Sequence, residues 1–471
     1  MRWAGGAAAW LAALTLALPV MAQTLAAVPS LDDDASLIIV AVDDMPEALP
    51  GAGTTPRAHY RRGAGYAGST RAQAAAADVA QQYRLQQQAA WHIEPLRWRC
   101  MVYRIAPGAD RDAVLADLAR DARVRVAQPL NSFETLVGPL GVAAGAMAVP
   151  LDEPYNDPYF GLQRGFAAMD TTEAQRWSRG RGVRVALVDT GIDAAHPDLQ
   201  GRVASQRDFV GAEHAPSAAE RHGTQMAGVI AAGANNGVGI VGMAPQSQLL
   251  AYRACWAAAE TGGRARCNSF TLAKALVAAI AADADVINLS LGGPADALLQ
   301  QLAEHAMKRG AIVVGAVPPS GKLDGFPIGV PGVLAVDGAE QRTGHAGVLA
   351  APGRDVLTLV PGGHYDFASG SSLAAAHVSG AIALLRELDP ALRADTARTW
   401  LQRAVPADGA SIDVCAAVRH LRAGARCGQA ATAASHAVID LPPKATAGGA
   451  VGTHLQPTPL PVSAHLQESP R

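Results

Sequence analysis

The chain has 471 residues, of which 49% are hydrophobic and 17% charged, so it can bury a large core and is not disordered as a whole. Its 39 basic and 41 acidic side chains leave a formal charge of -2. This balance argues against a protein that binds nucleic acid or an anionic membrane surface.

Residues 1–22 have the pattern of an export signal. One arginine precedes an apolar run over 10–20, and small residues surround Ala22. A membrane anchor is the alternative, but a spanning helix needs about 20 apolar residues and this run has only about a dozen. The sequence therefore predicts cleavage after Ala22 and a secreted protein, extracellular or periplasmic, with no membrane anchor left.

Residues 23–150 have two kinds of composition. Alanine-rich sequence without a clear period predicts that most of 23–90 is loosely ordered. A compact α+β unit is predicted over about 92–137, with a strand, a helix and a second strand at 96–105, 110–122 and 125–133. Small residues at 138–150 indicate a linker.

The pattern changes to an alternation of strands and helices over 151–427. Short apolar runs predict buried parallel strands at 183–189, 248–255, 286–292 and 311–317. Predicted helices lie between and before them at 222–233, 269–283 and 297–310. The predicted fold is therefore an α/β domain whose parallel sheet has helices on both faces, with its ligand site at the carboxyl ends of the strands. Residues 428–471 are predicted to be a flexible tail.

The chain has five cysteines, which can be free thiols or disulfides. Export permits disulfides, and four cysteines form two pairs with a separation of twelve residues: Cys255 with Cys267, and Cys415 with Cys427. Local pairing is the natural expectation, although four cysteines allow three connectivities. Metal binding is the weaker alternative, since no CxxC motif accompanies them. Cys100 is left without a partner.

Three polar residues at element boundaries are candidates for nucleophilic catalysis. Ser372 lies in SGSSLAAAHVSG at the start of a small-residue helix, where a serine could instead be an N-cap. Asp189 ends the strand VRVALVD, where it could be a turn residue, and His222 opens the predicted helix at 222–233, where it could be an idle surface histidine. A serine nucleophile needs a base and a group that orients the base, and these three residues supply that set.

Together the motifs resemble those of the subtilisin-like serine proteases. The resemblance covers about 155–405 and lies in DTGID with HPDL (189–199), HGTQMAG (222–228), NLSLGG (288–293) and GSSLAAAHVSG (370–380). It implies a serine endopeptidase whose nucleophile is Ser372, whose general base is His222 and whose orienting group is Asp189. It also implies that peptide or protein substrates pair with Ser290, Leu291 and Gly292 as an added strand. No cofactor is required for this chemistry.

The resemblance has further implications for the N-terminal region and for metal binding. It implies that 23–150 is an inhibitory propeptide, whose removal near residue 150 also removes Cys100; a permanent accessory domain is the alternative. It implies a structural calcium site at Asp157, Asp198 and Asn236, residues that could equally cap turns. It also implies that His377 is a packed helix histidine and not the base.

The sequence departs from the family pattern at the oxyanion hole. The Ser372 amide is one expected donor to the oxyanion, but VVGAVPPSGK (313–322) has Pro318 and Pro319 where the family has Gly and Asn. The second donor is unknown, with Ser320 and Lys322 as candidates. Smaller departures are Ser371 in place of threonine and Ala376 in place of proline. Two functions stay open: an endopeptidase with an atypical oxyanion hole, or an inactive relative that binds peptide or a protein partner.

Overall fold

The computed structural model describes residues 31, 35–45, 69–137, 154–216, 220–258, 264–341, 344–404 and 411–427. The predicted signal peptide at 1–22, linker at 138–150 and tail at 428–471 lie outside the described residues and stay predictions. No helix in the described ranges is both long and apolar enough to cross a membrane.

The described residues form strands and α-helices in the following order. The strands are β1 Leu37–Asp43, β2 Gln86–Ile93, β3 Trp98–Arg104, β4 Val124–Pro129, β5 Ser132–Thr135, β6 Arg184–Asp189, β7 Val203–Asp208, β8 Gln248–Arg253, β9 Cys255–Ala257, β10 Ala265–Asn268, β11 Val286–Leu289, β12 Leu291–Gly292, β13 Ile312–Ala316, β14 Leu334–Gly338, β15 Leu349–Ala351, β16 Val356–Val360 and β17 His364–Ala368. The helices are α1 Thr70–Gln82, α2 Arg111–Leu118, α3 Arg164–Ala168, α4 Thr171–Ala174, α5 His222–Ala231, α6 Ser269–Ala281, α7 Ala297–Lys308, α8 Ser371–Leu388, α9 Ala394–Arg403 and α10 Val414–Val418.

The N-terminal unit, residues 35–45 and 69–130, is an antiparallel sheet in the order β2-β3-β1-β4 with two helices. β1 is apolar on both faces. Ile38 and Val40 pack in one cluster with α1, while Leu37 and Ile39 belong to the cluster that contains α6 and α7. The unit is therefore docked on the helices of the larger domain through the second face of its sheet.

The N-terminal unit is larger than the sequence predicts. β3 and α2 confirm the strand expected at 96–105 and the helix expected at 110–122. The expectation of loose order over most of 23–90 is wrong for β1, α1 and the start of β2, because β1 is stabilised by burial between two layers. The strand expected over 125–133 is divided into β4 and β5, which belong to different sheets.

The larger domain has a seven-stranded sheet in the order β15-β14-β13-β11-β6-β8-β7, and every neighbouring pair is parallel. Successive residues of β6 point to opposite faces. Val185 and Leu187 join the cluster with α5 and α8, and Ala186 and Val188 join the cluster with α6 and α7. The predicted α/β architecture with helices on both faces is confirmed.

A second, antiparallel sheet lies beside the main one, in the order β12-β5-β10-β9. Both predicted local disulfides are present: Cys255–Cys267 joins β9 to β10, and Cys415–Cys427 lies at the end of the described chain. Cys100 is a buried free thiol in β3. Because β5 is contributed by the segment that follows the N-terminal unit, this small sheet joins the two regions.

Candidate active site

The candidate catalytic residues lie where parallel strands end and two packed helices begin. Asp189 is the last residue of β6, His222 is the first residue of α5, and Ser372 is the second residue of α8. All three side chains are buried. α5 and α8 pack on the same face of the sheet and start at its carboxyl edge, so that this edge holds the three groups.

His222 is held against Asp189 by a short hydrogen bond. Its Nδ1–H donates to Asp189 Oδ1 at 2.6 Å, and the same oxygen accepts the Thr190 amide at 2.7 Å. The Thr190 hydroxyl oxygen in turn accepts the Gly223 amide at 2.8 Å. A Cβ on Gly223 would lie 2.7 Å from the Thr190 and Gly191 carbonyl oxygens, so glycine is required for α5 to begin this close to the Asp189 loop.

Ser372 is hydrogen-bonded to the loop after β11. Its hydroxyl donates to the Ser290 carbonyl at 3.0 Å, and the Ser290 hydroxyl donates to the Ser372 carbonyl at 3.2 Å. His222 Nε2 is buried and has no hydrogen-bond partner in the described part of the chain. The N-cap of α8 is Gly370, so Ser372 is not the cap. The hydroxyl therefore points to Ser290 in this structure, and the imidazole keeps a free nitrogen.

An extended segment of the chain itself, Ser132–Leu136, lies in the predicted substrate groove. β5 runs antiparallel to both of its neighbours, β12 and β10. Thr135 is opposite Leu291, and Glu134 is opposite Gly292. Two of the three residues predicted to pair with substrate therefore pair with a peptide strand.

The carboxyl end of this segment reaches Ser372. Leu136 donates its amide to the Ser290 carbonyl at 3.2 Å, and its own carbonyl accepts the Ser372 amide at 3.5 Å. The Leu136–Val137 peptide group is thus the one beside the candidate nucleophile. Sequence reasoning missed this segment, although the alternation in SFET, with Phe133 buried and Glu134 half-exposed, is the signal of a strand covered on one face.

The loop after β13 lies beside the groove and has prolines where the resemblance expects an amide side chain. Pro318 is next to Gly292, and neither Pro318 nor Pro319 has a donor. Ser371 Oγ donates to the Val317 carbonyl at 2.6 Å, which ties the start of the loop to α8. The two candidate replacement donors, Ser320 and Lys322, are exposed further along the loop.

The three residues predicted to bind calcium lie together. Asn236 donates its side-chain amide to Asp198 at 2.9 Å and its backbone amide to Asp157 at 3.4 Å. Asp198 also accepts the Ile240 amide and the Tyr365 hydroxyl. These partners carry no formal charge, so burial raises the pKa of both carboxyls, that of Asp198 to about 6. Two buried carboxylates with neutral partners fit a divalent cation.

A buried ion pair that the sequence did not reveal holds Glu220, two residues before His222. Arg253, at the end of β8, donates from Nε to Glu220 at 2.8 Å and from Nη1 to Asp208 at 2.9 Å. Glu220 also accepts the Gly191 amide at 3.1 Å. The pair therefore links the segment before His222 to the loop after β6.

His377 is packed inside α8, as the resemblance implies. Its Nδ1–H donates to the Leu373 carbonyl at 2.8 Å, one turn earlier in the helix. Burial lowers the pKa of His377 to about 4, so the side chain is neutral at physiological pH.

Comparisons with known proteins agree with this architecture. The sequence profile of the subtilase family matches residues 180–414. A thermophilic serine proteinase of Bacillus sp. (strain AK1) is 36% identical over 286 residues, which are 58% of this chain and 66% of that protein. The major intracellular serine protease of Bacillus subtilis (strain 168) is 33% identical over 231 residues, which are 45% of this chain and 70% of that protein.

Two further similarities bear on the family and the fold. The crystal structure of fervidolysin from Fervidobacterium pennivorans, at 21% identity and a TM-score of 0.63, covers 82% of this chain and 61% of its own, and supports the fold alone. Thermitase of Thermoactinomyces vulgaris is 34% identical over 244 residues, which are 49% of this chain and 84% of that protein. On this evidence of sequence and fold, the chain belongs to the subtilase family of serine endopeptidases.

Proposed function

We propose that this chain cleaves peptide bonds with Ser372 as nucleophile, His222 as general base and acid, and Asp189 as the group that orients His222. The observation that carries the proposal is the position of Leu136, whose carbonyl meets the Ser372 amide. A peptide carbonyl, a buried hydroxyl and a buried imidazole at one sheet edge are the parts that acyl transfer needs.

The proposed reaction uses His222 twice. The Ser372 hydroxyl attacks the carbonyl carbon of the residue in the Leu136 position, and its proton passes to His222 Nε2. The bond from that carbon to the next nitrogen breaks, and His222 returns the proton to the leaving amine. Water then hydrolyses the acyl ester with the same nitrogen as base, which releases the new carboxylate and restores the hydroxyl. Asp189 keeps the proton on Nδ1, so that Nε2 is the basic nitrogen throughout.

The oxyanion is stabilised first by the start of α8. This helix has 18 residues, and the Ser372 amide near its N-terminus donates to the oxygen that becomes negative. The second donor is unassigned, because Pro318 stands beside the groove without one. Movement of the loop could bring Ser320 or Lys322 to that position.

The first substrate in this proposal is the chain's own propeptide. Residues 1–22 direct export, which suits a protein with two disulfides, and the region from 23 through Leu136 is the propeptide. The seating of Leu136 favours cleavage of the Leu136–Val137 bond, so we move the proposed start of the mature chain from near residue 150 to Val137. Later substrates are extended peptides that replace β5 as an added strand.

We also propose that calcium binds at Asp157, Asp198 and Asn236 as a structural ion. Its role is to neutralise the two buried carboxylates; no step of the reaction uses it. We expect a chelator to lower the melting temperature of the parent protein by several degrees and to have little effect on the Asp198→Asn variant. Restoration of the parent by Ca²⁺ but not by K⁺ is the control. Equal melting temperatures with and without chelator would contradict the site.

An inactive, peptide-binding relative is the second candidate. It is favoured by the Ser372 hydroxyl, which donates to Ser290 and leaves His222 without a partner, and by Pro318 at the oxyanion hole. Labelling with a serine-directed phosphonylating reagent separates the two functions. The endopeptidase reacts at Ser372 and cleaves a fluorogenic peptide, while Ser372→Ala does neither. A folded parent protein that takes up no label would support the binding function.

A further inference from the structure

We propose that Arg264 and Arg266, beside the substrate groove, make this enzyme prefer an acidic side chain at the third residue before the cleaved bond. The inference rests on the proposed function, because it treats Ser132–Leu136 as bound in the manner of a substrate. With Leu136 as the first residue before the bond, the third residue is Glu134.

The two arginines face this position from the neighbouring strand. Arg264 Nη1 lies 3.0 Å from Glu134 Oε2. Arg266 is the register partner of Glu134 across β10 and β5, and its Nε and Nη2 donate to Ser132 Oγ at 3.1 and 2.9 Å. Arg264 lies immediately before β10, and Arg266 is the second residue of that strand. Their contacts are with Glu134 and Ser132, which are two apart in β5 and project on the same side, so both guanidinium groups lie on that side. The arrangement is complementary to a carboxylate.

Among the residues that the structure describes, the rest of the groove does not cancel this charge. Gly292, the other register partner of Glu134, has no side chain, so β12 contributes no charge beside it. The described charged side chains that line the 860 Å³ groove, apart from Glu134 itself, are Arg264, Arg266, Lys322 and Asp324, three positive and one negative. The groove is therefore positive where the third residue lies.

The strand that contains Arg266 is held at its carboxyl end. The Cys255–Cys267 disulfide joins β10 to β9. At its last residue, Asn268 accepts the Thr271 amide at 3.0 Å and caps α6. This bracing keeps the neighbouring Arg266 in place when one peptide replaces another in the groove.

The expected preference is modest. The Arg264 and Glu134 side chains are 44% and 40% exposed, and an exposed pair of this kind changes an equilibrium about two- to fivefold. Because the pair forms in the bound complex before chemistry begins, the change is expected in KM more than in kcat. It should weaken as salt rises.

The test uses the processed enzyme and internally quenched peptides of sequence Ser-Phe-X-Thr-Leu-Val, with X as Glu, Gln or Lys. We expect kcat/KM for Glu to exceed that for Gln by about two- to fivefold and that for Lys by about tenfold. The Arg264→Gln, Arg266→Gln double variant should lose the preference, and reversal of both charges to glutamate should favour Lys. Arg403→Gln, an exposed arginine on α9, is the matched control and should keep the parent's preference.

The possible results separate failure of this inference from failure of the proposed function. Equal kcat/KM for the three peptides, or a preference that survives in the double variant, overturns it and leaves the proposed function intact. Failure of the parent to cleave any peptide overturns the proposed function and this inference with it. Melting temperatures of all variants near that of the parent show that the loss of preference is not a loss of folding.

Discussion

The two sides of the active-site groove are held in place to different degrees. On the His222 side, Asp189 holds the imidazole, and the buried Glu220–Arg253 pair anchors the segment just before it. On the Ser372 side, the loop after β13 is tied at Val317, whose carbonyl accepts from Ser371 and whose amide donates to Val336, and it then becomes exposed. The position of His222, the proposed base, is thus held by side chain and backbone, and stabilisation of the oxyanion is the part of the proposed site that the loop sequence can alter.

Removal of the base or its orienting group should have the largest effect. We expect His222→Ala and Asp189→Asn to lower kcat by at least a thousandfold, and about 10⁴-fold for Asp189→Asn, a magnitude carried over from other serine proteases. KM should change little, because both groups act on the reaction step and not on substrate binding. His345→Ala, an exposed histidine away from the groove, is the control. Activity of either variant within tenfold of the parent would contradict the assigned roles.

Breaking the buried pair behind His222 should lower stability and activity together. Glu220→Gln leaves Arg253 with a weakened partner, and we expect a loss of about 3 kcal/mol in the free energy of unfolding, measured in urea. Turnover should fall about tenfold, since the segment before His222 loses its anchor. Glu173→Gln removes a partly exposed pair with Arg176 and should cost at most about 0.5 kcal/mol. Equal costs in the two variants would mean that the buried pair does not brace the base.

Changes on the oxyanion side should act in the opposite direction, on the reaction barrier and not on the free energy of unfolding. If the second donor is absent, Pro318→Gly with Pro319→Asn should raise kcat tenfold or more, equivalent to about 1.4 kcal/mol in the barrier. Substrate binding should hardly change, since the donor acts in the transition state. Ser320→Ala and Lys322→Ala are measured in parallel. A large loss in either alanine variant would show that the loop already supplies the donor.

The same contrast explains what the sequence could predict. Asp189, His222 and Ser372 each lie at an element boundary within a short motif, so the motifs together with the family resemblance were enough to single them out as candidates. The Glu220–Arg253 pair joins residues 33 positions apart, and the sequence near either residue does not indicate its partner. The sequence also failed to predict that β1 is an ordered strand. The reason is related, because this strand is stabilised by burial between α1 and the helices α6 and α7.

The sequence predicted β5 only in part. Only its first two residues, Ser132 and Phe133, lie within the strand predicted over 125–133, and the change of sheet after β4 depends on contacts with distant residues. Asn131 donates its amide to the Ser269 hydroxyl, and its side chain donates to Asp296. These bonds turn the chain toward the groove, and only the folded structure brings Leu136 to Ser372.

The most direct test of the account is the intact mass and N-terminal sequence of the purified protein, made as the parent and as Ser372→Ala in a protease-free system. We expect a new N-terminus at Val137 in the parent and an uncleaved Leu136–Val137 bond in the Ser372→Ala protein. The same processed form in both proteins, or a parent chain cut only at another bond, would contradict the claim that Ser372 acts on the peptide seated beside it.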